Sequence, residues 1–398
     1  MHTLDDLDSG ALAGARHVRL THLGLRQFPG QLFDLADSLE ILDLSGNQLS
    51  ELPADLHRLH RLRILFASNN PFSELPLALG RCAQLEMVGF KACRIEHVPA
   101  DSLPPRLRWL ILTDNRLAQL PASLGQRPRL QKLMLSCNRL DTLPDLAGCT
   151  RLELLRLASN AFTEVPASVL QLPALAWLAL AGNPLSAAAE QASLAGAAPS
   201  AINAASLQIG ALLGEGASGH IHQAQDGNGH PLAVKVFKAG QTSDGSPHSE
   251  LAAGLHAGRH AHLLTPLARV DGLANGRLGA ALPPLDAGYQ PLAGPPDFAS
   301  CTRDIYPADA RFSPAQAQAL LDGIGSALAQ LQAHGIVHGD LYAHNVLWHP
   351  ASGHALLSDF GAALLTDGLP PHIASQLLAI DRRAWAHLQD EIRARIAH

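Results

Sequence analysis

The sequence predicts a multidomain chain in which an α/β solenoid of short repeats precedes a separate α+β domain. Leucines recur with a period of 22 or 23 residues through the first half, and this period ends after Pro184. Alanine- and serine-rich sequence follows, and glycine-rich and apolar strand patterns begin beyond it. A chain of 398 residues is too long for one ordinary core, so two or three domains are expected.

The composition indicates a folded protein and argues against several functional classes. Apolar residues make up 47% of the chain, charged residues 16%, and the net charge of -6 gives no support for nucleic-acid binding. No apolar run approaches the roughly 18 residues of a membrane-spanning helix, and the N-terminus is acidic where a signal peptide would be basic. The five cysteines form no CxxC pair, and the histidine pairs have no third ligand nearby. We therefore expect a cytoplasmic protein. Separately, the abundance of alanine, leucine and arginine is typical of a GC-rich bacterial genome.

The solenoid begins with an imperfect unit at residues 18–29, which we interpret as an N-terminal cap with a polar outer face. Seven units with the pattern LxxLxLxxNxLxxLP follow from Leu39, the last of them incomplete. A single unit cannot enclose its leucines, whereas stacked units bury them in a continuous core. The marker position of the units is occupied by Asn47, Asn70, Cys93, Asn115, Asn138, Asn160 and Asn183.

This pattern resembles the leucine-rich repeat. The resemblance implies one short strand and one return arm per unit, stacked into a solenoid over residues 1–185. In that family the asparagine side chain satisfies backbone groups at the turn after the strand. Cys93 interrupts the asparagine series, and we interpret its thiol as structural rather than reactive.

One position in each predicted strand lies between two inward leucines and is expected to face the concave side. Phe66, Ile111 and Met134 would form an exposed apolar patch there, and such patches often bind partners. We hypothesise that the concave face binds another protein; the alternative is a scaffold surface without a dedicated ligand. The whole row reads Asp43, Phe66, Gly89, Ile111, Met134, Arg156 and Ala179.

Residues 186–204 separate the two predicted domains. Their alanine- and serine-rich sequence fits either a helix that caps the solenoid or a linker, and the sequence leaves both open.

The second domain, residues 205–398, opens with glycines at Gly214, Gly216 and Gly219, followed by Ile221. Glycines allow a backbone to close over phosphate groups without a side-chain clash. Sixteen residues after the last glycine, the apolar strand PLAVKVFKA carries Lys235, whose ammonium group supplies positive charge, and Ala233.

Two helices are predicted next. Leu251 and Leu255 indicate a helix that carries Glu250, with Ser249 as its cap. A longer helix runs over residues 313–333, where Ser313 caps, Pro314 occupies the first turn, and one face is apolar. That face consists of Leu320, Leu321, Ile324, Leu328 and Leu331.

The segments IVHGDLYAHNVL and ALLSDFGAA complete the pattern. Asp340 lies five residues before Asn345 and nineteen before Asp359, which Phe360 and Gly361 follow. This order and spacing resemble a protein kinase, and with the repeats the chain is similar to bacterial leucine-rich-repeat kinases. The resemblance implies a bilobal α+β domain whose C-lobe is truncated.

The resemblance also implies a role for each residue. The glycines, Ile221 and Ala233 would enclose ATP, Glu250 would hold Lys235 against the phosphates, and Asp340 would orient the acceptor hydroxyl. Asn345 and Asp359 would bind Mg²⁺ through oxygen atoms. On this basis the catalytic residues are Asp340, Lys235 and Asn345.

Two departures from the kinase pattern affect regulation and substrate. Gly339 stands where many protein kinases have an arginine that pairs with a phosphorylated activation loop, so activity is expected not to depend on that switch. No A-P-E follows Gly361. Asp381 and Trp385 resemble the aspartate and the aromatic residue of the helix that supports the catalytic loop, but the later helices that dock peptide substrates are not expected.

The sequence favours a serine/threonine protein kinase with a protein-binding repeat module. HGD with a short C-lobe also resembles sugar, lipopolysaccharide-core, antibiotic and RIO kinases, so a small-molecule acceptor stays open. A pseudokinase scaffold that acts through its repeats is the third hypothesis, and the presence of Lys235, Asp340, Asn345 and Asp359 argues against it.

Overall fold

The structure, a computed structural model, describes residues 2–240 and 242–397, which form two compact units. Met1–Arg156 and Asn160–Leu175 make the first unit, and Leu157–Ser159 and Ala176–His398 the second. The last repeat is therefore grouped with the second unit. The domain boundaries predicted at residues 185 and 205 stay predictions.

The first unit is a parallel sheet of three-residue strands connected by return arms that are largely 3₁₀-helical. The central residue of each strand is a leucine or valine that is at most 1% exposed, so each repeat contributes to one continuous core. Each strand pairs in register with the next. Its elements are α1 (Leu4–Asp8), β1 (His17–Arg19), β2 (Ile41–Asp43), β3 (Ile64–Phe66), β4 (Met87–Gly89), β5 (Trp109–Ile111), β6 (Lys132–Met134), β7 (Leu154–Arg156) and α2 (Ala167–Leu170).

The predicted asparagine series stabilises the turns after the strands. Oδ1 of Asn70 accepts a hydrogen bond from the Leu49 N–H at 2.9 Å, and Nδ2 donates to the carbonyls of Leu44 and Ala67 at 3.0 Å each. At Cys93 the thiol makes longer contacts in place of these bonds. Its Sγ lies 3.6 Å from the Ala67 carbonyl oxygen and 3.7 Å from that of Lys91. Burial raises the pKa of Cys93 to about 11, which fits the structural interpretation of this thiol.

The concave face differs from its prediction in two respects. Phe66, Ile111 and Met134 are half-buried rather than exposed, and Arg156 and Ala179 are buried, at 3% and 0% exposure. The prediction also missed a second row, because strand residues two apart project to the same face. That row comprises Ile41, Ile64, Met87, Trp109, Lys132, Leu154 and Trp177.

The strands of the second unit are β8 (Trp177–Ala179), β9 (Ile202–Asn203), β10 (Gln208–Glu215), β11 (Gly219–Gln225), β12 (Pro231–Phe237), β13 (Ala268–Asp271), β14 (Gly279–Leu282), β15 (Gln290–Pro291), β16 (Ile336–Val337), β17 (Val346–Trp348), β18 (Ala355–Leu357) and β19 (Leu364–Leu365). They include a six-stranded sheet in the order β10-β11-β12-β14-β13-β9, a three-stranded sheet β15-β17-β18 and the pair β16-β19. The helices are α3 (Pro184–Ala197), α4 (Pro247–Ala257), α5 (Pro314–Ala333) and α6 (Pro371–Arg393). In the part of the chain that the structure describes, none of the helices is both long and apolar enough to cross a membrane.

The two predicted helices of the second domain are present, with corrections. Ser246 caps α4 by accepting from the Ser249 N–H, so Ser249 lies inside the helix and was wrongly predicted as its cap. Ser313 and Gln316 form a reciprocal capping box at the start of α5, as Ser313 and Pro314 predicted. Leu321 is half-buried, whereas the other leucines and the isoleucine of its predicted face are buried.

Helix α3 occupies much of the segment between the predicted domains. The segment is mostly helical, and Ser193 Oγ donates to the Ala252 carbonyl of α4 at 2.8 Å. After α3, β9 adds a parallel edge strand to the six-stranded sheet by pairing with β13.

Candidate active site

A cleft of about 260 Å³ opens in the second unit beneath the turn that joins β10 and β11. Small-molecule sites usually measure roughly 300–1,000 Å³, so the cleft is near the lower limit of that range. Strands β11, β12 and β14, helix α4 and the segment after β18 contribute its walls. Among the lining residues are Gly216, Gly219, Ile221, Lys235, Glu250, Leu282, Ser358, Asp359 and Phe360.

Lys235 and Glu250 form a direct ion pair inside this cleft. The side chains are only 16% and 9% exposed, so the charges face each other with little solvent between them. Burial raises the pKa of Glu250, while the charge of Lys235 opposes that rise. The Lys235 ammonium also lies 5.0 Å from the ring centre of Phe237, two residues along the same face of β12. Ala233 is on that face too, although it does not line the cleft.

The three glycines have different environments. A Cβ atom on Gly219 would lie 2.8 Å from the Val236 carbonyl oxygen, so packing of β11 against β12 requires glycine there. A Cβ on Gly214 or Gly216 would have no neighbour within 4 Å. Packing within the protein therefore does not explain these two glycines, and Gly216 borders the cleft whereas Gly214 does not.

Asp340 and Asn345 lie close together in the loop that follows β16. Asn345 Nδ2 donates to the Asp340 carbonyl at 2.9 Å and to its Oδ2 at 2.8 Å. Both residues are buried, and neither lines the cleft, in contrast to Asp359. The loop is nevertheless joined to the cleft wall, because the Asn345 carbonyl accepts the N–H of Ser358 at 2.9 Å and its hydroxyl at 2.8 Å.

Asp381 of α6 holds the start of this loop. Its carboxylate accepts the N–H of His338 at 2.6 Å and that of Gly339 at 3.0 Å. His338 extends the connection, since its Nδ1 accepts from the Asp340 N–H at 3.3 Å and its Nε2 lies 3.1 Å from the Ser358 carbonyl. With Nδ1 as the acceptor, Nε2 carries the proton and donates it. Trp385, the aromatic residue that the sequence analysis placed on the same helix, borders a groove between α5 and α6.

Sequence reasoning missed the contact between the last repeat and this loop. Trp177 of β8 donates its Nε1–H to the Leu341 carbonyl at 2.9 Å, and its ring is stacked on Tyr342 with a centroid distance of 4.2 Å. A Cβ on Gly339 would lie 2.3 Å from the Leu178 carbonyl oxygen. The sequence shows a tryptophan in the strand of the last repeat and a glycine at position 339, but nothing in it connects the two.

A second missed contact anchors α4. Glu190 of α3 accepts a hydrogen bond from the hydroxyl of Ser249 at 2.9 Å, and its other oxygen accepts from Ser186 and from the Gly182 N–H at 2.6 and 2.9 Å. The residue after Ser249 is Glu250, so helix α3 supports the helix that carries the partner of Lys235.

His344 pairs with Asp304 beside the loop. The carboxylate of Asp304 accepts the His344 N–H at 2.9 Å and lies 2.7 Å from Nδ1. Burial by itself lowers the pKa of His344, but the hydrogen bond and charge of Asp304, with Asp340 and Asp359 nearby, raise it overall.

Known protein families match two parts of the chain. Leucine-rich-repeat models match residues 38–59, 105–162 and 128–185. The model of the lipopolysaccharide kinase (Kdo/WaaP) family matches residues 297–365, which include Asp340, Asn345 and Asp359. The chain thus carries leucine-rich repeats and a segment similar to a kinase family. No curated protein matches it.

Solved structures similar to the chain include three proteins. A leucine-rich-repeat protein of Leptospira interrogans has 21% identity over 46% of this chain and 64% of its own, with a TM-score of 0.31. The plant peptide hormone receptor RGFR1, in complex with RGF2, has 24% identity over 44% of this chain and 30% of the receptor chain, with a TM-score of 0.38. An internalin of Listeria monocytogenes has 19% identity over 43% of this chain and 47% of the internalin chain, with a TM-score of 0.34. The chain spans less than two thirds of each of these proteins.

Proposed function

We propose that the second unit transfers the γ-phosphoryl group of ATP to a hydroxyl group. The observation that carries this proposal is that the Lys235–Glu250 ion pair and Asp359 line one cleft beneath a glycine turn. Asp340 and Asn345 lie in the loop attached to its wall. The match of residues 297–365 to a kinase family supports the same reaction class.

In the proposed reaction the acceptor oxygen forms a bond to the γ-phosphorus, and the bond from that phosphorus to the bridging oxygen breaks. ADP leaves with the electron pair, and the acceptor proton passes to the Asp340 carboxylate. Lys235 lowers the energy of the charge on the phosphate oxygens, and Glu250 keeps its ammonium directed into the cleft. Gly216, Ile221 and Leu282 would enclose the nucleotide, and Gly214 and Ala233 would shape the strands around it.

The donor atoms fit Mg²⁺, which prefers oxygen ligands. Asp359 offers a carboxylate at the cleft, and the bonds from Asn345 to Asp340 use only its amide nitrogen, so the amide oxygen is suited to ligation. Among the described residues no group of three or more His, Cys, Asp or Glu side chains could hold a metal. Asn345 and Asp359 would therefore bind Mg²⁺ together with phosphate oxygens, and the ion would neutralise phosphate charge.

The test is transfer of label from γ-labelled ATP by purified protein. Asp340→Asn and Asp359→Asn should each reduce transfer by at least about 100-fold, whereas Asp322→Asn, an exposed residue of α5, should not. Equal transfer by all four proteins would contradict the catalytic proposal and leave a scaffold that works through its repeats.

The acceptor has two candidates. A protein serine or threonine is the first, because the repeats provide a surface on which a protein substrate could dock. A hydroxyl of a lipopolysaccharide is the second, and the match to the lipopolysaccharide kinase family favours it. Incubation with native lysate proteins, and separately with lipopolysaccharide, followed by separation of the labelled products, distinguishes the two.

We also propose that the protein works in the cytoplasm, where ATP is available. No disulfide joins its five cysteines, all of which lie in the described part of the chain.

A further inference from the structure

We infer that the last repeat is a working part of the phosphotransfer site, in which Trp177 positions the loop that carries Asp340. This inference rests on the proposed function and assigns to the site a positioning residue from a repeat strand. Trp177 belongs to the same compact unit as the cleft.

The loop is fixed on both sides of Asp340. On its N-terminal side, Asp381 accepts the N–H groups of His338 and Gly339. On its C-terminal side, Trp177 donates to the carbonyl of Leu341, the residue next to Asp340. Farther along the loop, Asp304 accepts from the His344 N–H and Ser358 donates to the Asn345 carbonyl, so Trp177 is the anchor nearest to Asp340 on this side.

The stacking geometry strengthens the second anchor. The rings of Trp177 and Tyr342 are nearly parallel, at 6°, with their centres 4.2 Å apart. Trp177 is 1% exposed and Tyr342 4%, so the stacked pair is closed to water. A hydrogen bond and a stacked ring together fix both the position and the rotation of the loop after Asp340.

The backbone of the repeat strand also approaches the loop closely. A side chain at position 339 would meet the carbonyl oxygens of Leu178 and Ala362, at 2.3 and 2.7 Å from its Cβ. Ala179, Ala158 and Ala362 form a small buried cluster beside it. Strand β8 thus takes the space that an arginine at position 339 would need. The strand therefore contributes to the position of the loop together with Trp177.

The experiment compares Trp177→Phe with Trp109→Phe. Trp109 has the same strand position in a repeat of the first unit, and it donates its Nε1–H to Met134 Sδ at 3.4 Å. Phenylalanine keeps a ring for stacking and removes the donor. The purified full chains are assayed for kcat, for KM of ATP, and for amide hydrogen exchange of residues 338–345.

Trp177→Phe should lower kcat about 10- to 100-fold, with KM for ATP changed by no more than about twofold, because the cleft itself is intact. Amide exchange of residues 338–345 should rise severalfold. Trp109→Phe should change none of the three. If the exchange and kcat of Trp177→Phe equal those of wild type, the inference is wrong.

Hydrogen exchange and a second variant keep this inference separable from the proposed function. If wild type transfers no phosphate, the proposed function fails, but a rise in exchange of residues 338–345 in Trp177→Phe still supports the anchor. If Trp177→Phe does not fold, Tyr342→Leu tests the stacked contact from the loop, and unchanged kcat and exchange in that variant overturn the inference.

Discussion

Gly339 has a φ of 73° and lies against two carbonyl oxygens. Both features disfavour any other residue, because a Cβ is strained at positive φ and here it also has no room. The glycine that distinguishes this loop from that of many protein kinases therefore has a local steric cause.

We predict that Gly339→Ala lowers the free energy of unfolding by at least about 2 kcal/mol, since backbone strain and a backbone clash add. Gly368→Ala is the matched control. Its φ of 84° is also positive, but no atom lies within 4 Å of its Cβ, so about 1 kcal/mol is expected. Urea denaturation measures both, and equal losses would mean that the loop moves away from Leu178 at little cost.

Glu391 has a pKa well above the ordinary value of a glutamate. Burial raises its pKa to about 7, and the nearby charge of Asp304 adds to the rise. Tyr306 donates to its carboxylate at 3.2 Å, and Arg303 and Arg395 oppose the shift. The carboxyl group is thus easier to bury protonated than charged.

This shift predicts a pH dependence of stability. Between pH 4.5, the ordinary value, and about 7, the folded state holds more protons than the unfolded state, so stability falls as pH rises. From pH 5 to pH 8 wild type should lose about 1–3 kcal/mol more than Glu391→Gln. Thermal denaturation at both pH values tests this, and parallel curves for the two proteins would contradict the shift.

At the scale of elements, α4 depends on α3 for its position. Ser249 connects Glu190 of α3 to the turn of α4 that holds Glu250. Glu250, the partner of Lys235, is therefore next to a residue that is hydrogen-bonded to α3, a helix outside the six-stranded sheet.

We predict that Ser249→Ala reduces kcat severalfold, because α4 loses this bond and the Lys235–Glu250 pair loses its alignment. Ser313→Ala is the control, since it removes the cap of α5. Each variant should lose about 1 kcal/mol of stability, but only Ser249→Ala should change kcat. A similar kcat in both would show that α3 supports folding without aligning the ion pair.

The elements that the sequence predicted are those set by local pattern. The repeat period predicted the parallel strands because each unit must bury the same leucines, and capping residues predicted the start of α5. The family comparison confirms the leucine-rich repeats. The helix Pro184–Ala197 stayed undecided, because an alanine-rich segment has no strong apolar face to indicate its packing.

The contact of Trp177 with Leu341 could not be predicted, because 164 residues separate them. In its own repeat Trp177 is one more apolar residue beside a central leucine. Five residues in the order typical of a kinase predicted a shared site, and their catalytic roles stay predictions until phosphate transfer is measured. These residues are Lys235, Glu250, Asp340, Asn345 and Asp359.

At the scale of the whole molecule, the repeats offer a surface whose apolar residues are only partly covered. Phe66 lies across the position of Gly89, where a Cβ would be 2.4 Å from its ring, and Trp109 contacts Met134. Ile111 is the register partner of Gly89 on one side and of Met134 on the other, and it is also half-buried.

We predict that Ile111→Asp combined with Met134→Asp abolishes binding of a partner protein to the concave face. Leu77→Asp is the matched control, because Leu77 is apolar, 54% exposed and outside the strands. Pull-down from native lysate, with the unfolding midpoint of each variant, measures the effect. An unchanged set of bound proteins would mean that this face has no dedicated partner.

The close approach of the Leu178 carbonyl to Gly339 has an evolutionary consequence. Selection does not act on the two positions independently, because a side chain at position 339 destabilises the protein unless the final repeat is lost or displaced. Among descendants of a common ancestor, deletion of the repeats and replacement of this glycine are expected to occur in the same lineages. A survey of the two positions together in related sequences tests this expectation.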